Sequence, residues 1–421
     1  MSSSARAVAL TVLLLGACRD APTPLQPRPG QSQDLTGQLA NGQIVPGQYI
    51  VVFKDGVADP EGLAQTLVSL YGGSLKHTYK SAIKGFAAIL SDAAVAALQA
   101  QSTLVDYIEA DKKGGPDGET RQTPQPNGGT QQTPQTQQMD ANGDPWGLDR
   151  IDQRALPLSG TYTYRSTGAG VHVYLIDTGI WTLHSEFGGR ADVVYDVAGL
   201  DGQDCWGHGT AVAGVVGAAT YGVAKGVLLH GVRVYADCST EEAGIPVAVT
   251  VMSDVVAGVD WVTAHHLSPA VANLSVSLDP STALTTAVHN LWNSGVFVTA
   301  TAANHNADAC LEAGGASGAF TVAASTKTDA KLDVSNWGPC VSIYAPGGNI
   351  KSTWLFDQTM VQSGTSFAAP HVTGVAALYK ATFGDAPSDV VAKWIIDRAT
   401  AGAITGNPGG TPNRLLYKSG L

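Results

Sequence analysis

Val171-His172-Val173-Tyr174-Leu175-Ile176-Asp177-Thr178-Gly179 decides the fold. The run up to Ile176 is almost wholly apolar and lacks the polar alternation of a strand with one wet face. Such a strand is buried on both faces, which places it in a parallel sheet covered by helices. It ends in a carboxylate followed by a glycine, at the carboxyl end of a strand, where open α/β sheets place their sites. Further apolar, β-rich runs follow at Val232–Tyr235, Leu274–Leu278, Val296–Ala300, Phe320–Ala324 and Val341–Ala345. Helix-like segments lie between them, among them Ser253–His265, Ala283–Asn293 and Ser366–Lys380. The alternation predicts an α/β domain with a mostly parallel sheet and helices on both faces, spanning 144–421.

The rest of the chain divides by composition. Gln48–Phe53, Ser74–Tyr79, Phe86–Leu90 and Val105–Ile108 read as strands, Glu61–Leu70 and Ala93–Ala100 as helices. The order β-α-β-β-α-β predicts a small α+β ferredoxin-like domain over 43–112. Residues 113–143 hold four Pro, seven Gln and six Gly with almost no aliphatic side chains, an exposed linker open to proteolysis. Residues 19–42 are Pro/Gln-rich and read as disordered. Residues 1–18 carry one basic residue, Arg6, and an apolar run too short for a bilayer, which takes about 20 residues. They read as a signal peptide. Its end, Leu15-Gly16-Ala17-Cys18, resembles a bacterial lipoprotein signal in which Cys18 becomes the lipidated first residue; an ordinary signal that happens to precede a cysteine is the other reading.

Composition removes several classes of function. Charged residues make up only 14% of the 421, and hydrophobic ones 44%, so the chain can bury a sizeable core and is not disordered throughout. The 49 glycines suit tight turns and closely packed elements. A net charge of −11 repels phosphate backbones and argues against nucleic acid as a partner. Five cysteines leave four once Cys18 is set aside, and four in an exported chain suit two disulfides. Spacing alone allows three pairings. No compact Cys/His cluster suggests a metal centre.

Three motifs carry the chemistry: Asp177-Thr178-Gly179, Gly207-His208-Gly209-Thr210 and Gly364-Thr365-Ser366. Singly each has an ordinary reading, as a loop cap, a structural histidine and a helix N-cap. Together they supply an acid, a base and a nucleophile to one rim of the sheet. Asp177 can fix the His208 tautomer, His208 can take the Ser366 proton, and Ser366 can attack a carbonyl. A helix opening at Ser366 aims its first N–H groups at the negative charge that develops.

These blocks, with the continuation Phe367-Ala368-Ala369-Pro370-His371, resemble the signature of subtilisin-like serine proteases, in the family's order Asp, His, Ser. The resemblance covers nearly all of 146–417 and is closest to the proteinase K and aqualysin branch, which the stretches at 146–154, 221–227 and 412–417 also match. Residues 43–112 resemble the inhibitor-type propeptide of these enzymes. That implies a secreted serine endopeptidase made as a self-processing zymogen, with its own propeptide as intramolecular inhibitor and folding aid. The resemblance further implies the oxyanion role for Asn304, substrate-edge positions at Ser275, Val276 and Ser277, a pocket lined by Ala302 and Ala303, and the disulfides Cys205–Cys238 and Cys310–Cys340. Loops of about 30 residues closed in this way each contribute roughly 3–4 kcal/mol.

The sequence departs from the family at several places. The position after Gly-His-Gly-Thr is Ala211. The substrate edge, usually Ser-Leu-Gly-Gly, reads Ser275-Val276-Ser277-Leu278, and the usual glycine before the oxyanion Asn is Ala303. Added side-chain atoms there should shrink the primary pocket and favour small P1 residues. The second edge, following Cys238, is remodelled and carries Glu241 and Glu242, read either as a solvated loop or as a preference for basic side chains. Ser342 stands where the branch uses an aspartate for calcium; a hydroxyl lacks the charge hard cations favour, which weakens the case for that site. The chemistry needs no cofactor, and structural calcium at another place in the chain stays open as a reading. Protein and peptide substrates are expected, the mature domain as a monomer, and the precursor, if Cys18 is lipidated, as tethered to the envelope. Two other readings use the same residues: an idle subtilase-like domain that binds peptides, and an esterase or amidase acting on small substrates through the same triad.

Overall fold

The computed structural model describes residues 42–116, 120–121, 125–126, 136–236 and 248–421. The N-terminal domain runs β1 (Ile44–Phe53), α1 (Pro60–Tyr71), β2 (Ser74–Tyr79), β3 (Gly85–Ile89), α2 (Asp92–Gln99) and β4 (Val105–Gly114). Three short strands follow, β5 (Thr120–Arg121), β6 (Gln125–Pro126) and β7 (Thr136–Gln138), then α3 (Trp146–Asp152) and β8 (Thr161–Thr163). The large domain continues with β9 (His172–Asp177), β10 (Ala191–Asp196), α4 (His208–Gly217), β11 (Leu228–Arg233) and β12 (Thr250–Val251). Next come α5 (Met252–His265), β13 (Ala270–Leu274), α6 (Thr282–Asn293), β14 (Phe297–Thr301), α7 (Ala313–Ala316), β15 (Phe320–Ser325) and β16 (Ile343–Pro346). The chain closes with β17 (Ile350–Trp354), β18 (Gln358–Ser363), α8 (Thr365–Phe383), α9 (Ser388–Arg398), β19 (Thr400–Ala401) and β20 (Arg414–Leu415).

The main sheet has the order β10-β11-β9-β13-β14-β15-β16-β20-β19 and is parallel from β10 to β20. β13 and β14 are buried along their whole length, and β9 is buried after its first residue, as strands with apolar residues on both faces require. One core lies under α4 and α8, with Val173, Leu175, Val212, Val216, Phe367 and Val372 among its members; another lies under α5 and α6, with Ile176, Val256, Val259, Leu284 and Val288.

Two of the expected large-domain runs fall off their strands, and β10, β17, β18, β19 and β20 have no counterpart among those runs. The run Leu274–Leu278 is strand only to Leu274, because Ser275–Leu278 leave the sheet to form a cleft edge. β11 precedes most of Val232–Tyr235 and draws on the less apolar Leu228–Arg233, whose His230 is paired by Asp192. Polar side chains that find partners can be buried, and apolar content alone does not register that.

The N-terminal domain has the expected β-α-β-β-α-β order, with its strands arranged β4-β1-β3-β2, all antiparallel. Its helices start where side chains cap them: Asp59 accepts from Gly62 N at 2.9 Å and Ser91 from Ala94 N at 3.2 Å. β4 reaches Gly114, so the opening of the region assigned to the linker, 113–114, is paired strand.

Carboxylates on this domain and on α5 fasten the two domains together. Asp111 is fully buried and accepts hydrogen bonds from Ser253 N (3.0 Å), Ser253 Oγ (2.5 Å) and Gln48 Nε2 (2.5 Å). Glu109 accepts from Ser281 Oγ (2.5 Å) and Thr282 N (3.2 Å). These two carboxylates thus meet the positive N-terminal ends of α5 and α6. In return Asp260 of α5 accepts from Ser81 N and Ala82 N, at 2.8 and 2.6 Å, and Asp254 pairs with Lys76 and His77. The docking delivers the end of β4 to the large domain, where β12 pairs with it, Thr250 opposite Gly114.

Candidate active site

Asp177 is the last residue of β9, and its carboxylate is completely buried. Its Oδ1 lies 2.6 Å from His208 Nδ1 and accepts from Thr178 N at 2.7 Å. Burial pushes the Asp177 carboxyl up, while the His208 contact and the Thr178 hydrogen bond oppose that shift. His208 opens α4, with Gly207 as the residue before it at φ 101°. At Gly209 a Cβ would come within 2.1 Å of Gly179 O, so only a glycine lets the helix approach the Asp loop this closely.

Ser366 is in the first turn of α8, fully buried. The ring of Phe367, next in sequence, meets the His208 ring edge-on at 5.9 Å between centroids and 63°, which places the start of α8 against the imidazole. Ser366 Oγ finds no hydrogen-bond partner among the described residues. Asn304 turns its Oδ1 to Thr365 N (2.8 Å) and Thr365 Oγ1 (3.0 Å). That fixes the amide, and its Nδ2, which makes no hydrogen bond among the described residues, is a buried donor one residue from the serine. A Cβ on Gly364 would stand 3.0 Å from this nitrogen. A fixed N–H donor and a helix N-terminus beside a hydroxyl form the arrangement that stabilises an oxyanion.

The residues expected at the substrate edge fall as follows. Ser275 Oγ donates to the Ser366 carbonyl at 3.2 Å and accepts from Asn273 Nδ2 at 2.8 Å, which ties the edge to the serine helix. Val276 is buried and packs in the core shared with the N-terminal domain. Ser277 pairs in both directions with Gly115: Gly115 N donates to Ser277 O at 3.2 Å and Ser277 N to Gly115 O at 3.0 Å. The end of β4 therefore lies between β12 and Ser277, as an extra strand between two edges. Gly114 suits this position, since a Cβ there would meet Leu278 Cδ2 at 2.1 Å. Further on, β5 pairs with β18, Thr120 opposite Ser363, three residues before Ser366. Ala302 and Ala303 are buried next to Asn304, and Ala303 has φ 72°, a left-handed conformation that costs an alanine about 1–2 kcal/mol.

Cys310 and Cys340 are bonded, with Cα atoms 5.3 Å apart. Cys205 is disulfide-bonded; Cys238, expected as its partner, and the Glu241/Glu242 segment lie outside the described residues, as does Cys18. Ser342 exchanges hydrogen bonds with the Thr321 backbone, donating its N–H to Thr321 O (2.9 Å) and accepting from Thr321 N through Oγ (3.2 Å). Ala211 is fully buried in the α4 core, a packing position.

Sequence reasoning passed over three residues that shape the site. Asp204 accepts from Gly207 N (2.8 Å), Thr210 N (2.8 Å) and Thr210 Oγ1 (2.6 Å), and so caps the helix that carries His208; it also accepts from Thr178 Oγ1 (2.8 Å) beside Asp177. An Asp four residues before the histidine was the available signal. Asn336 Oδ1 holds the loop after Asn304 through His305 N and Ala307 N, both at 2.9 Å. Asn273 Oδ1 accepts from Thr373 Oγ1 (3.0 Å) on α8 and from Thr299 Oγ1 (3.2 Å) on β14, anchoring the serine helix to the sheet.

The comparisons with known proteins agree with this geometry. The pattern described as "Subtilase family" matches residues 168–415, and that described as "Peptidase inhibitor I9" matches 48–113. An extracellular serine proteinase of Thermus sp. (strain Rt41A) is 41% identical over 97% of both chains. Alkaline serine exoprotease A of Vibrio alginolyticus is also 41% identical, over 88% of this chain and 67% of its own. Among solved structures, a cold-adapted subtilisin-like serine proteinase overlaps 65% of this chain and 97% of its own, with 43% identity and a TM-score of 0.60. Fervidolysin from Fervidobacterium pennivorans shares the fold over 90% of this chain and 62% of its own, at 21% identity and a TM-score of 0.69.

His371 gives this site a pH limit. It is fully buried below Ser366 with Nδ1 at 2.8 Å from Phe367 O, and burial pulls it down from 6.5 to about 4. Between those values the unfolded chain takes up a proton that the folded one refuses. The stability of the neutral form is thus complete above about pH 6.5 and is lost as pH falls toward 4, by roughly 3 kcal/mol. Urea unfolding of the Ser366→Ala chain at pH 7 and pH 4.5 is expected to show this fall, and His371→Gln to flatten it.

Proposed function

The chain belongs to the subtilase family, a serine endopeptidase with an I9 inhibitor domain ahead of its peptidase domain, and from that premise we propose the roles of its residues. Ser366 Oγ attacks the scissile carbonyl while His208 takes its proton. Asp177 holds the imidazole orientation and stabilises the imidazolium. The Asn304 amide and the backbone N–H of Ser366 receive the oxyanion; His208 then returns the proton to the leaving amine, and water resolves the acyl-enzyme by the same route. The observation that carries this reading is the buried 2.6 Å contact of His208 with Asp177, with the Asn304 amide fixed by Thr365, the residue before Ser366.

This reading is favoured over an idle peptide-binding domain because the acid, the base, the nucleophile and the oxyanion donor are all present, with His208 already set on Asp177 and the Asn304 amide fixed by Thr365. The two edges that receive an extended strand favour polypeptide over small-ester substrates. Purified enzyme is expected to degrade casein, Ser366→Ala to abolish this, and Asn304→Ala to lower kcat about 10²–10³-fold with little change in KM. A wild-type protein that hydrolyses small esters but leaves casein intact would support the esterase reading instead.

The precursor processes itself between Pro116 and Thr120. Support comes from Gly115 paired with Ser277 on one side of Ser366 and Thr120 opposite Ser363 on the other. Residues 43–115 then remain as the inhibitor. N-terminal sequencing of the first processed species should begin within residues 117–120; a first cut after Gln138 would contradict it. The primary pocket prefers small P1 side chains, since Ala302 and Ala303 add side-chain atoms beside Asn304. In a peptide series differing only at P1, Ala should be cleaved better than Phe or Leu, and Ala303→Gly should improve Phe selectively, a glycine also relieving the left-handed backbone at that position.

Ser342, whose hydroxyl carries no charge and already accepts from Thr321 N, makes a weaker calcium ligand than the aspartate of the branch. The chemistry runs without a cofactor. The protein is exported, a reading supported by its likeness to the extracellular serine proteinase of Thermus sp.. Lipidation of Cys18 would tether the precursor to the envelope, and the cut would release the mature domain as a monomer.

A further inference from the structure

An aromatic pair stands at the far end of β18 with no role in the chemistry above. β17 and β18 form an antiparallel hairpin whose tip is Leu355–Asp357. At the tip Phe356 has φ 53° and ψ 44°, and Asp357 has φ 63°. Left-handed backbone costs a non-glycine residue about 1–2 kcal/mol, and a bulky aromatic is rare there. The surroundings hold the turn in place: Asp357 Oδ1 accepts from Ser185 N at 2.7 Å, and His184 Nε2 donates to Gln358 O at 2.9 Å. Phe356 is nevertheless 67% exposed, set edge-on to Trp181 at 4.9 Å and 65°, with Leu183, 79% exposed, two residues from Trp181. A strained, exposed aromatic fixed against a second one is a feature the fold itself does not need.

The path of the chain shows what reaches this patch. β5 and β6 lie along one edge of β18: Thr120 opposite Ser363, Arg121 opposite Gln362, Gln125 opposite Thr359 and Pro126 opposite Gln358. An extended polypeptide that has passed Ser366 therefore follows this edge away from the serine and arrives at the hairpin tip. Ladder bonds along such an edge bind any sequence, and pockets beside it supply preference.

We infer that the edge of β18 along which β5 and β6 lie is an extended track for the part of a polypeptide substrate beyond the scissile bond, and that Trp181, Leu183 and Phe356 form a distal subsite at its end for apolar or aromatic side chains. The inference rests on the protease reading. Continuing the antiparallel register past Pro126, the residues that reach Phe356 lie about nine to twelve positions after the cut. The enzyme thereby selects long, extended chains over short peptides, and reads a side chain remote from the bond it breaks.

Three substrates with the same residues before the bond test this. One is a p-nitroanilide that ends at the bond. Two peptides continue for about fourteen residues, with Leu and Phe, or Asp, at the positions that reach the tip. Wild type is expected to show kcat/KM about tenfold higher for the apolar peptide than for the Asp one. Phe356→Gly should bring the two within about twofold while leaving the p-nitroanilide unchanged; glycine suits the left-handed turn, so the hairpin should fold. Equal rates for both peptides in wild type, or an equal fall for all three substrates in Phe356→Gly, would overturn the subsite. Wild-type inactivity toward all three would overturn the protease reading, and the track with it.

Discussion

The structure depends on placing one carboxylate where water cannot reach it. Asp177 sits fully buried at the end of β9, and its Oδ1 is occupied by His208 and Thr178. A buried carboxylate costs several kcal/mol unless it is hydrogen-bonded, and the His208 and Thr178 contacts to Oδ1 offset part of that cost. The close approach of α4 that brings His208 requires glycine at 209 against the Gly179 carbonyl. The capping of α4 requires Asp204. The polar network of Asn273, Thr299 and Thr373 then fixes α8, and with it Ser366, to the same sheet.

The second organising element is the strand that the precursor places in its own cleft. Asp111 and Glu109 seat the N-terminal domain on the starts of α5 and α6, and this seating sets the register in which Gly114 meets Thr250 and Gly115 meets Ser277. Inhibition and processing therefore share one geometry. A polypeptide held between two edges blocks other substrates, and its continuation along β18 is the path a substrate would take.

Much of this was legible in the sequence because the chemistry leaves little choice of residue. Asp177, His208, Ser366 and Asn304 sit in short motifs whose neighbours are glycines and small residues, and the structure brings Asp177 against His208 and Asn304 against the serine turn. The N-terminal strand and helix order was legible from short apolar runs and helical spacing, although β1 over residues 50–53 and β3 over residues 85–88 are buried on both faces. Less legible were features set by distant partners. Apolar content put a strand at Leu274–Leu278, but β13 is Ala270–Leu274, Ser275 is drawn off to the Ser366 carbonyl and Ser277 to Gly115. Asp111 and Ser253 lie 142 positions apart and look unremarkable singly. Phe356 gave no signal at all, because its left-handed backbone is imposed by a hairpin tip anchored to Ser185 and His184.

The central claim is that Ser366, activated through His208 and Asp177, is the nucleophile. Peptide mapping of the processed enzyme after reaction with a fluorophosphonate tests it most directly. The account predicts a single phosphonylated residue, Ser366, with labelling lost in His208→Ala and suppressed while residues 43–115 occupy the cleft. Labelling of another serine, or undiminished labelling of Ser366 without His208, would contradict it.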